Sequence, residues 1–268
     1  MITLKPVGGL GNRMRAVSSA ISLQKTREDQ LFIIWDQSHV LNCPFESLFV
    51  APNDVKVKNI KYGSMRRVRR ILYRTLKLKR FKEFRYDISV DNDAITNNIY
   101  QDSELSDINE APNIYIETYK PFYDRERMFF FDFKPEVISR ADLISDHFSD
   151  STIGIHVRRG DHQKARSCSP TEIFIKAMEN EIEQNQDATF YLATDSEHVE
   201  KQLRERFGKR IFFNDHKVNN RTTSEGVMDA LADMICLSRT VKIYGSYKST
   251  FSVVASEMNQ TPLVIVSS

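Results

Sequence analysis

Short apolar runs alternate along this chain with longer segments whose apolar positions recur at helical spacing. Residues 2–7 read as a first strand, with Pro6 late enough to suit its end. Residues 8–11 form a glycine turn. From residue 12 to about 25, Met14, Val17 and Ile21 fall on one helical face, with Ala16, Ala20 and Leu23 beside them. Residues 31–35 are a compact apolar run of the kind that fills a buried parallel strand. Strand, glycine turn, helix and strand is how a nucleotide-binding fold opens.

The second half repeats the alternation more clearly. Strands are expected at 152–157, 188–193, 211–213, 241–244 and 263–266, and helices at 169–184, 196–207, 224–238 and 250–258. Ser169, Pro170 and Glu172 suggest a capping box with proline at the first helical position, and Gly208 suits a helix end. The spacing is that of a parallel, doubly wound sheet. Between the halves, residues 113–119 alternate like a strand, 135–148 look helical, and 101–111 are acidic and polar, as in a loop. Residues 56–85 carry thirteen lysines and arginines against the single acid Glu83. Ile71, Leu72, Leu76 and Leu78 are interleaved with them, which suggests a basic helix.

Composition narrows the classes. With 268 residues, 41% hydrophobic and 28% charged, the chain is long enough for two domains and does not read as disordered. A net charge of +2 implies no nucleic acid by itself. The three cysteines, Cys43, Cys168 and Cys236, are far apart and form no C-x-x-C pair, so neither a zinc ribbon nor a disulfide framework is suggested. A reducing, cytoplasmic setting is the expectation. No stretch has the length of a membrane span, and the N-terminus lacks a signal-like apolar core.

Five segments carry candidate chemistry. Gly8-Gly-Leu-Gly-Asn-Arg13 joins strand to helix. Gly9, Gly11, Asn12 and Arg13 there can bring backbone amides and a cation to an anionic ligand. The spacing matches neither the dinucleotide fingerprint nor the Walker loop, and a structural turn capped by Asn12 is the alternative. A buried-type strand at 153–157 ends in Arg158 and Arg159, followed by Asp161. Parallel sheets bind ligands at that end of their strands, and arginine's planar fork suits a diphosphate. Asp161 can hold one guanidinium; a surface ion pair is the plainer reading. Another strand runs into Thr194 and Asp195, where helix capping by Asp195 or Ser196 is the alternative. Asp229 and Asp233 lie four apart on one helical face. A carboxylate can accept two hydrogen bonds from guanine, whereas a solvated face needs no ligand. Residues 244–252 bring Ser249 and Thr250 to a helix start, suited to phosphate or to ordinary capping.

Taken in order, these segments resemble the fucosyltransferase superfamily of core α-1,6-, nodulation, protein-O- and α-1,2-fucosyltransferases. Residues 8–14 are similar to the α-1,2 branch, and His156 to Asp161 to a motif shared by the α-1,2 and α-1,6 branches. Residues 190–196 and 232–257 are similar to the α-1,6 and nodulation branch. The resemblance covers 152–258 and 8–25 and is absent between them.

It implies a GT-B-like α/β architecture, two Rossmann-like doubly wound parallel-sheet domains facing a cleft, about 1–140 on the acceptor side and 141–268 on the donor side. It implies inverting transfer of L-fucose from GDP-fucose to a glycan hydroxyl, without a metal or other cofactor. By matching positions, Arg158 would bind the β-phosphate and stabilise the departing diphosphate. His156 would meet guanine through its backbone, Asp233 would hold the guanine edge, and Ser249 and Thr250 would sit on the β-phosphate. Two departures block transfer of the base: Arg166 stands where the α-1,6 enzymes have glutamate, and Ser196 where the family has a second aspartate. Asp36, at the end of the second strand, is the candidate base on position alone.

Another GDP-sugar as donor shares every nucleotide contact and stays open. A non-catalytic protein binding nucleic acid or an anionic glycan through 56–85 is the rival from another class. That segment lacks a recognisable nucleic-acid motif, so no nucleic-acid partner is expected; a membrane surface or anionic glycan suits its charge.

Overall fold

The structure, a computed structural model, describes residues 1–61, 85–98, 108, 110–123, 132–160, 163–215, 218 and 220–267. Most of the basic segment (62–84), most of 101–111, and Asp161 lie outside the described residues. The chain divides into two compact units, Met1–Phe133 with Arg221–Val227, and Lys134–Asn220 with Met228–Ser268.

The first unit is built on a parallel sheet of β1 (Ile2–Pro6), β2 (Leu31–Gln37), β4 (Val55–Lys61), β5 (Ile88–Val90) and β6 (Ile114–Thr118), in the order β4-β2-β1-β6-β5. Alternation along β1 and β2 sends Ile2, Leu4, Ile33 and Trp35 into the core. Helix α1 (Leu10–Arg27) buries Leu10, Met14, Val17 and Ile21. A short antiparallel pair, β3 (Phe49–Val50) with β7 (Asp132–Phe133), completes an aromatic cluster of Trp35, Phe45, Phe49 and Phe133. Trp35 donates its ring N–H to the Cys43 carbonyl at 2.8 Å, so the indole is buried without an orphaned donor.

One expectation fails here. The start of the basic segment, 56–61, is strand rather than helix, paired with β2 over its whole length. Its lysines Lys56, Lys58 and Lys61 are exposed while Val55 is buried. That two-residue period is the strand signal, masked in the sequence by the density of charge. Charged side chains along this outer strand also discourage pairing with another sheet. Short β5 and helix α2 (Asn92–Asn98) had no signal strong enough to read.

The second unit holds β8 (Thr152–Val157), β9 (Thr189–Thr194), β10 (Ile211–Phe212), β11 (Ile243–Ser246) and β12 (Leu263–Val266). All are parallel, in the order β10-β9-β8-β11-β12. Numbered from β8, this is the 3-2-1-4-5 order of a Rossmann-type sheet, and the direction of winding reverses between β8 and β11. The helices are α3 (Pro135–Ser145), α4 (Gln163–Cys168), α5 (Thr171–Gln184), α6 (Glu197–Phe207), α7 (Ser224–Ser238, whose first turn belongs to the first unit) and α8 (Thr250–Asn259).

Ile153, Ile155, Val157, Phe190 and Leu192 form a core with Phe174 and Met178 of α5 and Val199, Leu203 and Phe207 of α6. Full burial of each such side chain contributes about 1.5–3 kcal/mol. On α8, close approach depends on Gly245: a Cβ there would lie 2.6 Å from Ser252 Oγ. The expected capping box does not form. Pro170 is the N-cap of α5, in extended conformation, and no side chain caps it. Ser169 Oγ instead donates to the Val266 carbonyl and accepts the Tyr247 N–H at 2.9 Å, tying β12 to the loop after β11. Among the described residues no helix is long and apolar enough to cross a membrane.

Candidate functional site

In the second unit, the carboxyl ends of β8, β9 and β11 converge on one polar rim. The Arg158 N–H donates to Ser246 Oγ at 2.9 Å, and that hydroxyl donates to the His156 carbonyl at 3.1 Å. Ser246 thereby locks β8 to β11 at the point where winding reverses. Asp195, just past β9, accepts the N–H groups of Arg159 (2.6 Å) and Gly160 (3.0 Å), and its Oδ2 lies 3.7 Å from Arg158 Nη1. Thr194 Oγ1 donates to the Val157 carbonyl at 2.7 Å. The turn after β8 is thus pinned by Ser246 from β11 and by Asp195 just past β9. The capping alternative splits between residues: Ser196 caps α6, and Asp195 holds the arginine turn.

The two arginines differ. Arg159 turns inward, donating to the Arg158 carbonyl (2.8 Å) and to Thr171 Oγ1 (3.0 Å). Burial lowers its pKa against the pull of Asp195 and Glu172. Arg158 keeps a quarter of its side chain exposed at the rim, with Asp195 beside it.

Next to Arg158 lies the turn from β11 into α8. The Ser249 N–H donates to the Ser246 carbonyl at 3.2 Å, closing a turn in which Lys248 has φ 51°. Two other non-glycine residues with positive φ, Glu28 and Gln260, close helices, where that conformation is ordinary. Lys248 closes none, and such strain concentrates at functional turns. No side chain among the described residues caps α8 at Ser249, so the capping alternative for these hydroxyls fails. The first amides of α8 face the rim with their positive dipole end. His156 is buried, its ring stacked on Phe251 of α8 at 4.7 Å.

Asp233 is placed deeper. It is 6% exposed, and its Oδ1 accepts the Tyr191 hydroxyl at 2.6 Å, part-way along β9 rather than at its end. Burial, with Asp233 adding to it, raises the Tyr191 pKa well above its ordinary value. Asp229 is equally buried and accepts Arg140 Nη1 (2.5 Å) and the Val218 N–H (2.8 Å). The solvated-face alternative for this pair therefore fails, because each carboxylate is matched to its own donor.

In the first unit the glycine turn is a backbone device. Gly8 has φ 86°, and a Cβ there would lie 3.1 Å from the Asn12 side chain. Gly9 is the N-cap of α1, while Gly11 and Asn12 lie inside the helix, so Asn12 does not cap it. Arg13 is 1% exposed and bonded inward, Nε to the Gly8 carbonyl (2.8 Å) and Nη1 to the Asp36 carbonyl (2.5 Å), with its guanidinium 5.0 Å from the Trp35 ring centre. Burial brings its pKa down to about 10, against the opposing effect of Asp36.

The sequence reading gave Ser169 a capping role it does not play and did not single out Ser246, whose hydroxyl no motif distinguishes. It also missed Lys5 and Glu117, register partners on β1 and β6 whose side chains pair at 2.9 Å. Their signal was a charge set one residue from the end of an otherwise apolar strand. Among the described residues, no three His, Cys, Asp or Glu side chains gather as metal ligands.

No family model and no curated protein sequence matches the chain. Solved structures do. The NodZ alpha-1,6-fucosyltransferase soaked with GDP-fucose is 21% identical, over 96% of this chain and 92% of that one, with a TM-score of 0.64. Fucosyltransferase NodZ from Bradyrhizobium is 21% identical over 95% and 92%, at 0.60. POFUT1 in complex with GDP-fucose is 10% identical over 98% and 96%, at 0.56. The chain has the fold of these fucosyltransferases. The likeness extends over nearly the whole length of both chains, so it includes the span between the sequence motifs, where no resemblance was legible.

Proposed function

We propose that the protein is an inverting glycosyltransferase that moves L-fucose from GDP-fucose to a hydroxyl of a glycan acceptor. The observation that carries this reading is the rim around Arg158. A guanidinium stands at the switch point of a Rossmann-type sheet, on a turn fixed by Asp195 and Ser246, beside the uncapped start of α8. That is a preorganised set of donors for a diphosphate.

In the proposed step the bond between the sugar's anomeric carbon and the β-phosphate oxygen breaks, and the acceptor oxygen forms its bond from the opposite face. Negative charge develops on the departing GDP, where Arg158, Ser249 and Thr250 act on it. The acceptor's proton passes to a carboxylate, for which we assign Asp36. Asp233, its carboxylate oriented by Tyr191, reads the guanine edge. The fold of transferases bound to GDP-fucose supports the choice of donor.

The test is GDP release from GDP-fucose, GDP-mannose and UDP-glucose, with a mixed glycan library as acceptor and NMR of the product's anomeric configuration. Turnover is expected for GDP-fucose, with inversion. UDP-glucose turned over as well as the GDP-sugars would end the base assignment; retention of configuration would end the mechanism. In Asp233→Asn, the preference for GDP over ADP should collapse; undiminished preference removes Asp233 from the site.

A further inference from the structure

The outer edge of the first unit's sheet carries charge that the donor chemistry does not use. Strand β4 pairs with β2 alone, and Lys56, Lys58 and Lys61 are exposed along it. Among the described residues none of the three has an ion-pair partner. Two acids close by are engaged elsewhere. Asp54 accepts Gln24 Nε2 at 2.7 Å, and Glu46 accepts Asn59 Nδ2 at 2.5 Å. Lys56 and Lys58 stand ~7 Å apart on one face, within a screening length at physiological salt, so they repel each other. Register sets Lys56 beside Phe32 and Lys58 beside Ile34, and half-buried Phe32, Ile34 and Ile60 border the lysines on that face. Further along it, Asp36 and Glu117 are answered by Arg13 and Lys5 and leave the lysines of β4 uncancelled.

Guarding an edge against further pairing explains a lysine here. It does not explain the imbalance of the whole chain. Residues 56–85 hold thirteen lysines and arginines against one acid, a net of +12, so the remaining residues carry −10 for the chain to total +2. Such asymmetry favours an extended anionic surface met by the basic side, while the negative remainder is repelled. We infer that β4 docks the protein on an anionic phospholipid surface, with Lys56, Lys58 and Lys61 among the phosphate groups. The apolar border beside the lysines selects lipid over a soluble polyanion, because a headgroup layer has an apolar boundary beneath its charge and a sulfated chain has none. No helix among the described residues is long and apolar enough to cross a membrane, so the contact is peripheral, reversible and sensitive to salt. The inference is independent of the donor sugar.

The test is co-sedimentation of the full chain with vesicles of phosphatidylglycerol and phosphatidylethanolamine, against vesicles of phosphatidylcholine alone, at low and high salt. Two triple variants carry the same change of net charge. One is Lys56→Gln/Lys58→Gln/Lys61→Gln; the other, in the second unit, is Lys176→Gln/Lys201→Gln/Lys209→Gln, also at exposed positions. Wild type should bind the anionic vesicles, ignore phosphatidylcholine and be released by salt. A lysine at the headgroups changes partitioning by about fivefold, so the β4 variant should bind about a hundredfold more weakly. The second-unit variant should stay within about threefold of wild type. Melting temperature and GDP affinity, measured in parallel, should be unchanged in both. Absence of binding to anionic vesicles, equal binding to phosphatidylcholine, or equal loss in the two variants overturns the inference. Retention on heparin without vesicle binding does so too, since it makes the partner a soluble polyanion. Failure to turn over any GDP-sugar would remove the proposed function and leave the vesicle comparison standing.

Discussion

Arg13 and Arg158 read alike in the sequence, each an arginine in a glycine-bearing segment that follows a parallel strand, yet the two units put them to opposite uses. Arg13 is buried, both of its recorded bonds run to backbone carbonyls, and its guanidinium lies by Trp35. Arg158 remains part-exposed, and it is its backbone that is fixed, by Ser246 on one side and by Asp195 through the next two amides. In the first unit an arginine holds the loop; in the second the loop holds an arginine. A side chain available to a ligand is recognised by what restrains the backbone around it.

The sharpest way to break the comparison is kinetic. Arg158→Ala should lose a factor of about 100 to 1,000 in kcat, the usual effect of removing a preorganised donor from developing charge. Arg158→Lys should fail almost as badly, because an ammonium cannot reproduce the planar two-pronged contact. Arg159→Ala should be milder, since its donors serve the turn. Full kcat in Arg158→Ala, measured on folded protein with GDP-fucose, would end the mechanism.

Arg13 should respond in stability. Arg13→Met leaves the carbonyls of Gly8 and Asp36 without their donor inside the fold, a loss on the order of 3 kcal/mol. Urea unfolding should show a shifted midpoint with an unchanged slope. At temperatures where the variant is folded, GDP affinity should match wild type. Weakened GDP binding by folded Arg13→Met would return Arg13 to the ligand site.

Asp195 tests the other half. Its carboxylate accepts two amides of the arginine turn while lying exposed at the rim. Asp195→Ala should weaken GDP binding by about tenfold, the effect of losing a charge-assisted hydrogen bond, through a loosened turn. The melting temperature should change little. Equal GDP affinity would show that Arg158 needs no such support.

What was legible follows the same division. The second unit was read almost element by element, because β8 and β9 are buried almost throughout and strands and helices alternate at regular spacing. Its rim was legible as a set of segments, and what escaped were the internal roles. Ser169 looked like a helix cap but ties β12 to β11, because Pro170 is extended and takes the cap position itself. A solvated face stood as the alternative for Asp229 and Asp233 because nothing local announces Arg140 or Tyr191 as partners. In the first unit, β4 hid under its lysines. Lys5 and Glu117 are far apart in sequence and meet only through the register of β1 with β6. Contacts set by register between distant strands carry no local pattern.

The smallest effect is the most diagnostic, and it sets two carboxylates against each other. Glu181 in the second unit is matched on Oε1, which accepts Lys242 Nζ at 2.6 Å and the Tyr244 hydroxyl. Burial works to raise its pKa, and those two bonds outweigh burial, so the net shift is downward from 4.5. Asp36 in the first unit is shifted upward from 3.8, because burial outweighs the attraction of Arg13, Lys5 and His39, with Glu117 adding to the rise. The signs of their stability linkage are therefore opposite. Glu181 contributes stability that is present above pH 4.5 and lost as pH falls through its lowered folded value. For Asp36 the ionised form is the penalised one. Its contribution is best below pH 3.8 and declines as pH rises through the raised folded value. Glu181→Gln should accordingly be less stable than wild type at pH 7, and the gap should close in acid. Asp36→Asn should be as stable as wild type or more so at pH 7, and that advantage should vanish as pH falls toward 3.8. Thermal melts of both variants and wild type between pH 3.5 and 7.5 measure the two trends. Should the Asp36→Asn curve run parallel to that of Glu181→Gln, Asp36 would be a matched structural carboxylate like its counterpart, and the contrast between the two sheet edges would be gone.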